Sequence, residues 1–199
     1  MLSHTPLQAP SIKPGLVAVV LGTLASLDIR GYDYLGLLQA TRMHTWLLER
    51  MLSPDTPDAV VLEAVAAVGT LCTEATAAML AEAGLVSALH GLVVQRMDDD
   101  EFVLRTTLTA HRLLQHAPTR EALLERPELA AHFAELLEHA SHEVARAADS
   151  ALDCVVGLSD EWAASVRRLR FEAHNRLWIE HIEGDAALDQ SVPLAEGWQ

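Results

Sequence analysis

DDDEFVLRTTLTAHRLLQHAPTREALLERPELAAHFAELLEHASHEVARAADSALDCVVGLSDEWAASVRRLRFEAHN, residues 98–175, holds one complete structural repeat and most of another. Phe102-Val103-Leu104 opens an apolar helix after an acidic run. Val144-Ala145-Arg146 opens another after Ser141-His142-Glu143, 42 residues later. A further step of 42 upstream reaches Val60-Val61-Leu62, behind Asp58. A step of 47 from there reaches Lys13-Pro14-Gly15, ahead of one more apolar helix. Self-similarity at such a period marks stacked helical units, each too small to bury its own apolar face.

The columns of this period test it. Leu21, Val68, Ala110 and Leu152 align, as do Leu24, Leu71, Leu113 and Val155. Val17, Ala64, Thr106 and Ala148 form a small column, which suits close approach of neighbouring helices. Leu16, Glu63, Arg105 and Ala147 share a column that drifts in charge, so that side is not core. The expectation is an all-α fold: an armadillo-like α-solenoid of about three to four repeats, closed by a long C-terminal helix.

Taken in order, residues 1–13 read as a Pro-rich lead-in and 14–183 as the repeat domain. Residues 184–199 read as a disordered tail. Helices are expected over 14–27, 32–39, 43–52, 59–72, 74–83, 85–97, 102–115, 119–126, 128–140, 144–157 and 160–183. Pro14 suits the start of the first, with Ser11 ahead as a cap. Thr73 is read as a cap, and Gly84 as a left-handed corner. The acidic run 98–101 complements the dipole of the helix it precedes.

The first helix aligns with the third helices of later repeats, so the chain is expected to start in mid-repeat. That leaves Leu16, Val20 or Leu24 as an apolar patch, which favours self-association. In the last helix, Trp162, Val166, Leu169, Trp178 and Ile182 form the face expected to cap the stack. Trp162→Ala is expected to cost about 3–5 kcal/mol if that side chain is fully buried.

Half the residues are apolar and only 5% aromatic, which suits close-packed helices over a β-sandwich. Fourteen Lys and Arg against 28 Asp and Glu leave a net charge of −14. Such a chain repels nucleic-acid phosphates and anionic lipid, and favours a basic protein segment. Residues 16–27 are apolar but too short to span a bilayer, and no basic region precedes them. Cys72 and Cys154 read as small apolar thiols of a reducing compartment.

Several strings carry a resemblance. Val61-Leu62-Glu63-Ala64-Val65 precedes Val68-Gly69-Thr70. Asp99-Asp100-Glu101-Phe102-Val103 leads to Ala117-Pro118-Thr119-Arg120. Ala151-Leu152-Asp153 is followed by Asp160-Glu161-Trp162-Ala163, then Phe171, His174-Asn175 and Trp178. Leu21-Gly22-Thr23-Leu24-Ala25 and Tyr32-Asp33-Tyr34 fit upstream, and Ala83-Gly84-Leu85 looks like the glycine-marked second helix of an armadillo repeat. In this order and spacing, residues 14–183 resemble the C-terminal armadillo region of the kinesin-associated protein family. That family supplies the non-motor accessory subunit of heterotrimeric kinesin-2. Its pattern has a further aromatic where this chain has Ala173, and its acidic tail is not recognisable after Gly184. Known members are longer on the N-terminal side, so the resemblance implies a C-terminal piece, a partial gene model or a shortened relative.

The resemblance implies a non-catalytic adaptor that binds kinesin-2 motor subunit tails and links cargo or transport proteins. The setting would be cytoplasm, cytoskeleton and cilium, in microtubule-based and intraflagellar transport. No cofactor is expected, no nucleic acid and no membrane insertion. An unrelated armadillo scaffold is the alternative, although the Trp and Asn ladder typical of those scaffolds is absent. A helical enzyme or metal-dependent regulator is the reading from another class. Against it, no Gly-rich phosphate loop occurs, and neither cysteine lies near the pairs His139/His142 or His111/His116.

The third helices of successive repeats line one concave surface. Steps of four and three along them give Glu63, Ala67 and Thr70, then Arg105, Thr109 and Arg112, then Ala147, Ala151 and Cys154. Candidate partner-binding residues are therefore Glu63, Thr70, Arg105, Thr109, Arg112 and Asp153. Arg167, Arg168 and Arg170 join them as the one basic cluster.

Overall fold

The structure is a computed structural model that describes residues 13–178, apart from 28, 30, 97, 126 and 177. Ser11, Ile182 and the segment 184–199 lie outside the described residues. The helices run α1 (Pro14–Ser26), α2 (Tyr34–Thr41), α3 (Met43–Leu52), α4 (Asp58–Leu71), α5 (Ala77–Glu82) and α6 (Leu85–Gln95). They continue with α7 (Asp100–Leu114), α8 (Ala117–Leu124), α9 (Pro127–Glu135), α10 (His142–Val156) and α11 (Asp160–His174). No strand occurs among the described residues. A single 3-10 turn, Leu136–Glu138, ends α9, where one continuous helix to residue 140 was expected.

Three triplets follow α1: α2–α4, α5–α7 and α8–α10. Their third helices start at 58, 100 and 142, which reproduces the period of 42. The chain is thus an all-α solenoid, with α1 packed on α4, α4 on α7, α7 on α10 and α11 against α9 and α10. Helix α4 lies between two neighbours, and Val60, Val61, Ala64, Val65, Ala67, Val68, Gly69, Thr70 and Leu71 are all buried. Small residues let the helices approach. A methyl group on Gly69 would sit 3.2 Å from Thr109 Oγ1 and 3.3 Å from Arg112 Cδ.

The end of a third helix leaves carbonyls without helical partners. Side chains from the next repeat take them. Tyr34 Oη donates to the Leu27 carbonyl at 2.6 Å, Thr76 Oγ1 to Leu71 at 2.5 Å, and Thr119 Oγ1 to Leu113 at 2.6 Å. Thr73 does not cap a helix at residue 74. Its backbone N–H donates to Thr76 Oγ1, and α5 starts only at Ala77, because the Thr76 hydroxyl holds the chain in a turn. The acidic run acts as expected: Asp99 Oδ1 accepts from the N–H groups of Glu101 and Phe102.

Gly84 turns the α5–α6 corner with φ +83°. Arg42 turns the α2–α3 corner 42 residues earlier, also left-handed, with φ +54°. A side chain there costs about 1–2 kcal/mol that glycine avoids.

Two expectations change at the ends of the stack. The helix expected over 160–183 is broken at Asn175, where α11 ends and the Asn175 Nδ2 donates to the Phe171 carbonyl at 2.8 Å; Arg176 and Trp178 are helical again. Of the expected capping face, Val166 is fully buried and Trp162 only half-buried, while Trp178 is 61% exposed. At the other end Leu16 and Val20 are exposed and border an apolar cleft of about 390 Å³ with Met43 and Trp46. Leu24 packs onto the core instead.

Burial lowers the proton affinity of His132; neighbouring Glu135 offsets this and His90 adds to it. Its Nε2 is buried without a hydrogen-bond partner among the described residues.

Arg42→Gly is expected to stabilise the fold by about 0.5–1 kcal/mol, read in urea unfolding, since part of the relieved strain is returned as chain entropy. Trp162→Ala should cost about 1–3 kcal/mol rather than a fully buried tryptophan's loss. A histidine whose folded pKa is depressed stabilises the fold above its unfolded value of about 6.5, and this is lost as pH falls below it. The melting temperature is therefore expected to drop between about pH 7 and pH 5, and to drop less in His132→Leu.

Candidate partner-binding surface

Third helices stacked side by side present a continuous face, and its chemistry depends on helix rotation. Burial settles that rotation. In α7, Thr109 is 3% exposed and its hydroxyl donates to the Val65 carbonyl of α4 at 3.1 Å. It holds two helices together and offers no surface to a partner. Leu108, one position away, is 43% exposed. Ala67, Ala147 and Ala151 are likewise buried in the seams. The outward residues are therefore Glu63 and Ala66 on α4, and Arg105, Leu108 and Arg112 on α7. Both faces are rotated by one position at the middle residue. Sequence spacing missed Ala66 and Leu108 because columns fix a helix face only to within about one residue, or 100°.

Thr70, expected on that face, is buried in the seam at 6% exposure. Its hydroxyl donates to the Ala25 carbonyl at 2.7 Å and accepts from Arg112 Nη1 at 3.2 Å. Arg112 is exposed beyond that contact. Arg105 is half-exposed, with Glu101 at 3.8 Å one turn away, a loose pair in solvent. Glu63 lies across α1, with its Oε2 3.0 Å from where a Gly22 methyl would stand. Ala25, Ser26, Ala66, Thr70, Arg105, Leu108, Thr109 and Arg112 line a hollow of about 140 Å³. The structure thus brings Thr70, Arg105 and Arg112 together around one depression.

The other candidates lie elsewhere. Arg170 Nη2 is forked between Asp149 at 2.6 Å and Asp153 at 2.7 Å, tying α11 to α10. Arg170 and Asp153 thus act on each other, and the expected basic cluster loses a member. Arg168 approaches Glu172 at 3.9 Å, and Arg167 has no ion pair among the described residues.

His116 and His139 act between repeats. His116 Nδ1 lies 3.3 Å from Glu74. His139 Nδ1 accepts from the Ser141 N–H at 3.1 Å, which places the ring proton of the neutral form on Nε2, 3.5 Å from Asp100. Burial, then the Arg112 charge, lowers the proton affinity of His111. Among the described residues no group of three or more His, Cys, Asp or Glu side chains converges on a metal position. Both cysteines are free; burial pushes the Cys72 thiol up to about 11, and that of Cys154 also rises. Among the described residues no helix is long and apolar enough to cross a membrane.

Comparison with solved structures finds a designed armadillo repeat protein, 16% identical, with a TM-score of 0.50 over 97% of this chain and 91% of that one. At that identity the likeness shows the fold, an armadillo-type solenoid. The family model described as kinesin-associated protein (KAP) matches residues 11–196. The match extends past Gly184, into the segment in which no acidic family tail is recognisable. With the repeat period, the strings around Asp99 and Trp162 and nearly the whole length matched, the chain belongs to the kinesin-associated protein family.

Proposed function

We propose that this chain is a non-catalytic adaptor of the kinesin-2 motor complex. It holds the tail segments of the motor subunits and links them to cargo for microtubule-based and intraflagellar transport, in cytoplasm, cytoskeleton and cilium. The observation that carries this reading is the family match over residues 11–196. A row of packed third helices supports it, since stacked helical repeats give extended surfaces for long, flexible segments. Chemistry driven by nucleotide hydrolysis belongs to the motor subunits.

The contact surface in this reading is the third-helix face with Glu63, Arg105 and Arg112, together with the exposed cations Arg167 and Arg168 of α11. The net charge of −14 favours basic stretches of a tail and speeds their encounter. Steering of this kind weakens with salt, because charges are screened beyond about 8 Å at physiological ionic strength.

Calorimetric titration with a kinesin-2 motor tail peptide is expected to give binding that weakens several-fold from about 50 to 300 mM salt. Glu63→Lys should weaken it further. Trp162→Ala should leave it unchanged at temperatures where that variant stays folded, which separates lost contact from lost stability. No heat of binding at either salt concentration would overturn the adaptor reading.

A further inference from the structure

The hollow between α4 and α7 has a charge opposite to that of the chain. Two arginines, Arg105 and Arg112, stand at its two ends, and the exposed Leu108 lies between them. The rest of its lining is small, with Ala25 and Ala66 beside Ser26, Thr70 and Thr109. We propose that this hollow binds an extended acidic segment of a partner protein, with an apolar side chain set between two carboxylates. The inference rests on the adaptor reading only in taking the third-helix face as a surface for partners.

Spacing supports this occupant. Arg105 and Arg112 are seven residues apart on one helix, a rise of about 10 Å at 1.5 Å per residue. A segment extended as polyproline II has three residues per turn at about 3.1 Å each, so it repeats its facing every three residues, over about 9 Å. Carboxylates three positions apart therefore reach both guanidinium groups, and a side chain between them meets Leu108 and Ala66. Arg112 is already oriented by its hydrogen bond to Thr70, so less side-chain freedom is lost when it takes a carboxylate. Arg105 has only the loose contact with Glu101 at 3.8 Å to give up.

The net charge of −14 does not decide the sign here. At physiological salt the distant carboxylates are screened within about 8 Å, and the contact is governed by the groups beside it. These are Arg105 and Arg112 against Glu101, with Glu63 turned toward α1. The long-range field attracts a basic segment, while this hollow selects an acidic one. A partner carrying both would be steered by the first and placed in register by the second.

The probe is a fluorescein-labelled peptide, Gly-Ser-Glu-Leu-Ser-Glu-Ser-Gly, and its twin with lysine in place of each glutamate, read by anisotropy. The acidic peptide is expected to bind about tenfold more tightly than its twin, a preference of the size two charge-assisted contacts give. R105E/R112E should abolish or reverse that preference, and Leu108→Asp should weaken the acidic peptide alone. These side chains are exposed or half-exposed, so unchanged circular dichroism and melting temperature will show that the variants fold. Equal affinity for the twins, or a preference untouched by R105E/R112E, would overturn the inference. The motor tail titration separates the two readings. Tail binding without a preference between the twins removes this inference alone, and a preference without tail binding removes the adaptor reading alone.

Discussion

The rest of this structure depends on how closely successive third helices approach one another. Alanines and Gly69 let α4 lie against α1 and α7 with almost no side chain between. At that distance a threonine on one helix reaches a backbone carbonyl on the next: Thr70 to Ala25, and Thr109 to Val65. The carbonyls keep their helical bonds or stand free at a helix end, so the second bond costs little and satisfies a buried hydroxyl. A larger residue at either seam would part the helices and expose the apolar faces on both sides.

Close stacking makes the ends of the third helices a shared problem. Each would leave carbonyls buried against the next repeat. Tyr34, Thr76 and Thr119 supply one hydroxyl apiece at corresponding turns. The same turns set where the short helices begin, which is why α5 starts after Thr76 and not after Thr73. At the opposite corner Arg42 and Gly84 share a left-handed conformation 42 residues apart, although only one is glycine. Position in the repeat, rather than residue type, dictates that backbone.

Charge follows the same architecture. Acidic residues gather at the starts of the third helices: Asp58, Asp99, Asp100, Glu101 and Glu143. There they meet the positive end of the dipole. Several are engaged, Asp58 with Arg96 at 2.6 Å and Asp100 with His139 at 3.5 Å. The cations Arg105 and Arg112 stand further along α7, where the seam opens into a hollow. A uniformly acidic chain by composition is thus banded on its surface, and composition alone could not locate the bands.

The sequence by itself determined the period, the helical class, the places of the third helices to within two residues and the family. These follow from apolar spacing, from glycine and proline, and from strings such as Asp99-Asp100-Glu101-Phe102-Val103, all local in the chain. It also brought Thr70, Arg105 and Arg112 into one column set, because a repeat maps sequence distance onto neighbouring positions. Only the tertiary structure decided which side of each helix faces outward. It put Thr109 into a seam and Leu108 onto the surface, one position apart. It closed Arg170 onto Asp149 and Asp153, a pairing across helices whose partners lie 17 and 21 residues away. The reason is physical. A helix turns 100° per residue, so a column error of one residue exchanges core for surface, and only packing against the neighbours fixes that angle.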